Sequence, residues 1–542
     1  MADGQFTDSK RTVLFGSDAF EVVTIEWPNQ RDHSLHNHGW SLCSILIQNG
    51  LFQNTMNFGG KTETQILEEG QILTTPIGAL HELKCLSATG KTLHVYSPKI
   101  KELSEVGLFS FTINQEFKEN LKLAEPCTYN ELKNIIEKVK DHSVSAHSPF
   151  FMNQLFSGIS PQMLLAEDLI NQSKTTLATH EASPAFSAIE AEVVERLGEL
   201  IGWPIKSREG VVVPGGSAAN FMAIHCARQK YDATIKRKGL TGQSFKVYVS
   251  SEAHYSFKKA AAVLGIGTEN IVAVPCNDNG QMNSIELENL VQQHKEISSV
   301  PLLVCATAGT TVLGAFDNID ALSLVCKKYD IWLHVDGAWG GPALFSKNHR
   351  YLVSGIEKAD SATFDAHKLF GASMTCTLFL TKHVGALIEA NDVSGADYLF
   401  HSDDPNADRG KLSWQCGRGA DAVSFWTIWK SFGTDGLGKL VDNLVSIRLE
   451  AQEWINKHSR LQLISDPKYL NLCVRIKPPE SALTADPKEW SKFVRESLKI
   501  NQLALVNYST DENGTFLRLI LAHPQLKIDH IKKILEWSLD VK

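Results

Sequence analysis

Up to about residue 100, apolar residues fall in short runs broken by glycine. Phe20–Trp27, Leu42–Gln48, Gln71–Thr75 and Thr92–Tyr96 read as strands, with Gly50, Gly59-Gly60, Gly70, Gly78 and Gly90 between or beside them. Short strands with regular turns predict an all-β sandwich or barrel. Near Pro98 the texture changes. Residues 101 to 148 are charged and carry helical periodicity, as in Tyr129–Val139. Beyond Ser148, helical stretches alternate with short apolar runs bounded by glycine or proline. Val211–Val213, Phe245–Val249, Val300–Cys305 and Ile331–Val335 have the continuous hydrophobicity of buried parallel strands. That alternation predicts an α/β domain. The chain has no internal repeat and no low-complexity segment.

Length agrees with two parts of different texture, because 542 residues exceed one ordinary core. Hydrophobic residues at 43% and charged residues at 21% fit a soluble globular protein. A net charge of -8 with no Lys/Arg run argues against a general nucleic-acid binder. No apolar stretch reaches the roughly 18 residues that span a membrane. The N-terminal MADGQFTDSK lacks an apolar signal core, and ten scattered cysteines read as reduced thiols. A cytoplasmic location is therefore expected.

Four segments in the second part carry chemistry. Pro214-Gly215-Gly216-Ser217-Ala218-Ala219-Asn220 follows a strand and opens a helix, where glycines let backbone N–H groups approach a phosphate. Ser251-Glu252-Ala253-His254-Tyr255-Ser256 follows the next strand. His334-Val335-Asp336-Gly337-Ala338-Trp339 puts a carboxylate at the C-terminal end of a strand, where α/β proteins bind ligands. Thr363-Phe364-Asp365-Ala366-His367-Lys368 supplies a lysine. Any one of these is an ordinary turn or loop by itself. Their joint order and spacing suit pyridoxal phosphate. Lys368 would form the Schiff base, and Asp336 would keep the pyridine nitrogen protonated so that the ring draws electrons from the α-carbon. His254 would stack on one ring face and Ala338 on the other. Gly215, Gly216, Ser217 and His367 would hold the phosphate.

From about residue 108 onward the chain resembles the group II pyridoxal-phosphate decarboxylases, and within them the glutamate and cysteine sulfinate decarboxylases. Asn153-Gln154-Leu155-Phe156-Ser157-Gly158, Ala306-Thr307-Ala308-Gly309-Thr310-Thr311, His334–Gly341 and Gln415-Cys416-Gly417-Arg418 carry the resemblance. It implies an α/β fold of type I, like aspartate aminotransferase, over residues 106–542, and a homodimer. It implies that Arg418 binds the substrate α-carboxylate and that Gln154 helps to read the substrate. Phe156 stands where glutamate decarboxylases carry a small polar residue, which favours a three-carbon acid, with aspartate as a competitor. The segment from Tyr398 to Trp414 has no further tyrosine, whereas relatives use a loop tyrosine to reprotonate the α-carbon. His254 or a water is the expected donor here.

The first part holds a second constellation. His36-Asn37-His38 precedes the Leu42 strand, and in extended chain its two imidazoles share one face. The spacing Gly70, Pro76-Ile77-Gly78, His81 resembles the second cupin motif. Imidazoles suit first-row metals such as Fe(II). The usual cupin glutamate falls at Cys43, which leaves three neutral ligands and open positions. Residues 11 to about 98 resemble the cysteine dioxygenases, through these histidines and Leu93-His94-Val95-Tyr96-Ser97-Pro98. The resemblance implies a cupin barrel over residues 1–105, with His36, His38 and His81 as iron ligands. It also implies that Tyr96 orients substrate and oxygen with a hydrogen bond from His94. Arg11 would bind the cysteine carboxylate, and Cys43 would form a thioether with Tyr96.

Together the two resemblances imply a bifunctional enzyme of taurine biosynthesis. The first part would oxidise L-cysteine to cysteine sulfinate, and the second would decarboxylate that to hypotaurine. The alternative is an aspartate or glutamate decarboxylase carrying a thiol-sensing or regulatory cupin. Small amino acids and O₂ are the expected partners, with no nucleic acid and no membrane.

Overall fold

The computed structural model describes residues 10–16, 21–28, 32–36, 42–58, 61–75, 80–97, 117–118, 121–123, 126–393, 395–402, 407–480, 482 and 486–541. The chain divides into two compact units, Met1–Gly107 and Leu108–Lys542.

In the first unit the strands are β1 (Lys10–Gly16), β2 (Glu21–Pro28), β3 (Asp32–His36), β4 (Leu42–Asn49), β5 (Phe52–Phe58), β6 (Lys61–Leu67), β7 (Ile72–Thr75), β8 (Leu80–Cys85) and β9 (Thr89–Ser97). They form two antiparallel sheets, ordered β1-β2-β9-β4-β7 and β3-β8-β5-β6. The core follows the period of two: Val23, Ile25 and Trp27 of β2 and Cys43, Ile45 and Ile47 of β4 point inward. They meet Phe52, Leu67, Leu83 and Cys85 from the other sheet. The short strands expected of this part are thus present, as two sheets over one core. Among the described residues no strand pairing closes one sheet onto the other.

The second unit is built on a seven-stranded sheet. Its strands are β11 (Glu209–Pro214), β12 (Phe245–Ser250), β13 (Ile271–Val274), β14 (Val300–Thr307), β15 (Trp332–Asp336), β16 (Ser361–Asp365) and β17 (Cys376–Thr381). The order is β11-β17-β16-β15-β14-β12-β13. The sheet is mixed. β17 runs antiparallel to both its neighbours, so the Val211–Val213 run lies in an antiparallel pair and not in the parallel one expected of it. Both faces are buried. Alternate residues feed two cores, with Leu333 and Val335 on one side and Trp332 on the other. Helices α1 (Tyr129–Asp141), α2 (Pro184–Ile201) and α3 (Gly216–Tyr231) are the ones that bear on the site below. A second sheet contains β10 (Phe151–Met152), β18 (Leu461–Leu463), β19 (Asn471–Ile476), β20 (Leu505–Asp511) and β21 (Gly514–Ile520), in the order β10-β20-β21-β19-β18. Among the described residues no helix is long and apolar enough to cross a membrane, and the ten cysteines are all free.

Candidate active site

The site of the second unit lies at the C-terminal ends of β15 and β16. Asp336 ends β15 and is buried. Its Oδ2 accepts from Asn220 Nδ2 at 2.7 Å and its Oδ1 from the Ala338 amide at 3.1 Å. Asp365 ends β16, accepts from Thr377 Oγ1 at 2.6 Å and lies 3.0 Å from Lys368 Nζ. His367 donates from Nδ1 to the Cys376 carbonyl at 3.0 Å, with its Nε2 3.8 Å from Asp365.

The start of α3 faces these carboxylates. Gly215 has a φ of +89°, a conformation open to glycine. A Cβ on Gly216 would sit 3.0 Å from Asp365 Oδ2 and 3.4 Å from Ala338 Cβ, so only glycine lets the backbone approach so closely. Gly215, the residue before α3, offers no side-chain cap. The first amides of α3 are therefore a ready site for an anion. Ser217 is exposed at the mouth. His254 is half-buried and accepts at Nδ1 from the Ser256 amide at 3.3 Å. Burial lowers its pKa, against the pull of Asp336 and with the push of Lys368.

These residues fit pyridoxal phosphate. Asp336 is a buried carboxylate with no cation paired to it among the described residues. Burying an unpaired charge costs several kcal/mol. A protonated ring nitrogen would supply the missing partner, Lys368 would supply the amine for the imine, and the glycine turn offers amides to a phosphate.

Arg418 is a correction. Its guanidinium does not face open space but is buried against Glu190 of α2, and it also donates to the Val212 carbonyl at 3.0 Å and the Leu177 carbonyl at 3.3 Å. Arg409 holds the other oxygen of Glu190 at 2.9 Å. Burial pushes the Glu190 pKa up, but the two guanidinium groups outweigh it and bring it down to about 2. To bind a substrate carboxylate, Arg418 would have to abandon a buried charge.

Arg518 was missed by motif reading. It lies on β21 and is buried, and among the described residues no carboxylate pairs with it. It donates to the Thr311 carbonyl at 2.9 Å and to the Asn153 carbonyl at 3.0 Å, and its Nε has no partner. Burial lowers its pKa. The 311–312 segment is tied through Asn471 to Trp339, three residues beyond Asp336. The signal was a lone charge inside the apolar run Phe516-Leu517-Arg518-Leu519-Ile520. Gln154, next to Asn153, is exposed, and Phe156 is half-buried with its ring 5.8 Å from Phe151. Tyr398 is exposed.

In the first unit, His36 and His81 are direct cross-strand partners, as are Cys43 and Tyr96. Arg11 lies on β1. His38 falls outside the described residues, as do the side chains of Arg11, His36, His81 and Tyr96. The His94 ring is 2.8 Å from Thr92 Oγ1 and 3.8 Å from Cys43 Sγ. Among the described residues no group of three or more His, Cys, Asp or Glu is placed to hold a metal.

A family model described as the pyridoxal-dependent decarboxylase conserved domain matches residues 116–477. The chain is 37% identical over 407 residues to the acidic amino acid decarboxylase GADL1 of Bos taurus, covering 73% of this chain and 78% of the relative. It is 34% identical over 427 residues to the cysteine sulfinic acid decarboxylase of Mus musculus, covering 76% and 86%. The crystal structure of mouse CSAD superposes with a TM-score of 0.77 at 30% identity, covering 81% of this chain and 95% of that one. These likenesses bear out the α/β fold of type I expected of the second part.

Proposed function

The chain belongs to the pyridoxal-dependent decarboxylase family, and on that premise we propose that it decarboxylates a short acidic amino acid, with cysteine sulfinate preferred over aspartate and glutamate. The observation that carries the reading is Arg518, a buried guanidinium with no carboxylate of its own, held between the 153 and 311 segments. A guanidinium fork suits a carboxylate or sulfinate by two parallel bonds.

Arg518 is better suited to the side-chain acid than to the α-carboxylate. A cation on the leaving carboxylate would stabilise the ground state as charge departs, which slows the step. An anchor at the far end fixes the substrate and leaves the α-carboxylate unclamped. Pyridoxal phosphate, when bound, supplies the electron sink for the bond that breaks. Lys368 would hold it covalently, Asp336 would face its ring nitrogen, and Gly215, Gly216, Ser217 and His367 would hold its phosphate. Ala338 would pack against one ring face. His254 would cover the other and, with Nδ1 occupied by the Ser256 amide, presents Nε2 to the pocket. The donor to the α-carbon would be His254 or a water that it holds. Gln154 and Phe156 border the pocket, where the phenyl ring shortens it.

The first unit is proposed as a thiol dioxygenase that supplies the sulfinate, with Fe(II) at His36, His38 and His81. The support is the direct pairing of His36 with His81 across β3 and β8. A homodimer is part of the proposal. Helix α1 buries no residue and leaves Tyr129, Leu132, Ile136 and Val139 exposed along one stripe, which a second copy would cover.

The test is product analysis with the whole chain. Loaded with pyridoxal phosphate, it should release CO₂ from cysteine sulfinate faster than from aspartate or glutamate. Given L-cysteine, O₂ and Fe(II) as well, it should form hypotaurine. A preference for glutamate sinks the substrate reading. Sulfinate turnover without cysteine oxidation leaves the first unit as a sensing or regulatory module.

A further inference from the structure

On β15, Trp332, His334 and Asp336 alternate with Leu333 and Val335 and share the face that Asn220 of α3 covers. The neighbouring β16 sets Ser361 opposite His334 and Thr363 opposite Asp336. The result is a buried line of polar groups behind the carboxylate. Trp332 Nε1 is 2.8 Å from Ser361 Oγ, which is 2.8 Å from His334 Nδ1. His334 Nε2 is 3.1 Å from both Asn220 Oδ1 and Thr363 Oγ1. Thr363 Oγ1 is 3.1 Å from Asn220 Oδ1. Asn220 Nδ2 then reaches Ser256 Oγ at 3.0 Å and Asp336 Oδ2 at 2.7 Å.

Counting protons favours one polarity for this line. An indole N–H only donates, so Ser361 accepts from Trp332. Ser361 gives its own proton to His334 Nδ1. The reverse arrangement strands a buried hydroxyl proton, at a cost of about 1–3 kcal/mol. His334 is fully buried, and burial, against the pull of Asp336 and of a bond to the Ser361 backbone, takes its pKa down to about 4, so the ring is neutral. In that polarity its single proton is on Nε2 and points at Asn220 Oδ1. Thr363 donates to the same oxygen. The Asn220 amide has no freedom to flip, and both its protons face Ser256 and Asp336.

We propose that Trp332, Ser361 and His334 are positioning residues that, through Asn220, fix the orientation in which Asp336 meets the cofactor's ring nitrogen. This rests on the reading of Asp336 as the partner of that nitrogen. None of the four touches the reacting atoms. Their effect is to hold one carboxylate oxygen by an amide donor, so that the carboxylate cannot rotate when the cofactor enters. Trp332 begins the strand that Asp336 ends, so the strand carries both the device and its target.

The measurement is equilibrium binding to the apoprotein of two ligands: pyridoxal phosphate, and its carbocyclic analogue with C–H in place of the ring nitrogen. The wild type should prefer the former. Asn220→Ala and His334→Phe should weaken pyridoxal phosphate roughly tenfold, the scale of one hydrogen bond to a charged group, and the analogue less than about twofold. His334→Gln, which can accept from Ser361 and donate to Asn220, should recover most of the loss. Trp332→Phe keeps the ring body and removes only the donor, so it serves where His334→Phe fails to fold, and it should lose about threefold. Parallel loss for both ligands, or no loss for either, overturns the proposal. A wild type that does not distinguish the two ligands overturns instead the reading of Asp336.

Discussion

Replacing Arg518 by methionine keeps the length of the side chain and removes its charge. The guanidinium is buried, so its bond to a substrate acid is made away from solvent screening. Truncating one partner of a buried, hydrogen-bonded charge pair costs about 2–5 kcal/mol. At tenfold per 1.4 kcal/mol, kcat/KM for cysteine sulfinate should fall by roughly 30-fold to several thousandfold. Methionine also leaves the carbonyls of Thr311 and Asn153 without their donor, so some stability is lost as well. The assay must separate the two effects. It compares cysteine sulfinate with S-methylcysteine, an uncharged side chain of similar length, in wild type and variant. Loss of fold lowers both rates together, whereas loss of the anchor collapses their ratio. Arg418→Met is the counterpart. It strands Glu190 as a half-paired buried charge, so it should lower Tm and leave the ratio alone. If Arg518→Met keeps the wild-type ratio, or Arg418→Met abolishes it, the acid anchor has been placed on the wrong arginine.

Lys368→Ala should remove the visible absorbance of bound cofactor and nearly all decarboxylation, and retained turnover of cysteine sulfinate would show that another lysine holds the cofactor. His36→Ala and His81→Ala should stop oxygen consumption with cysteine and leave decarboxylation of added cysteine sulfinate largely intact; a joint loss would make the first unit a structural part of the second. The stability that Glu190 contributes should depend on pH with a definite sign. Its folded pKa of about 2 lies below the ordinary value of 4.5, so the contribution is full above about pH 4.5 and fades as the pH falls toward 2, amounting to roughly 3 kcal/mol. Chemical denaturation of wild type and Glu190→Gln should therefore converge over that window, and a constant difference across it would contradict the pairing.

The residues proposed for the cofactor were legible because each is a local statement about backbone. A glycine pair after a strand, a carboxylate at a strand's end and a lysine three residues past the next strand each follow from where a short segment must turn. The proposed acid anchor was not legible in that way. Arg418 and Arg518 are both buried arginines near the site, and their local sequences do not tell them apart. What separates them is a carboxylate, 228 residues away along the chain, that pairs with Arg418, whereas among the described residues none pairs with Arg518. Glu190 looks from the sequence like any acidic residue on a helix, yet it faces inward to Val212 of β11 and two guanidinium groups. The same limit applies to the relay behind Asp336. Ile331–Val335 reads as one buried parallel strand, and only the register with β16 shows that Trp332 and His334 bond the same serine. A motif therefore tells which groups a site can hold. Which of them are free to act depends on pairings between distant segments, and an arginine with no carboxylate of its own among the described residues is the one left to receive an acid.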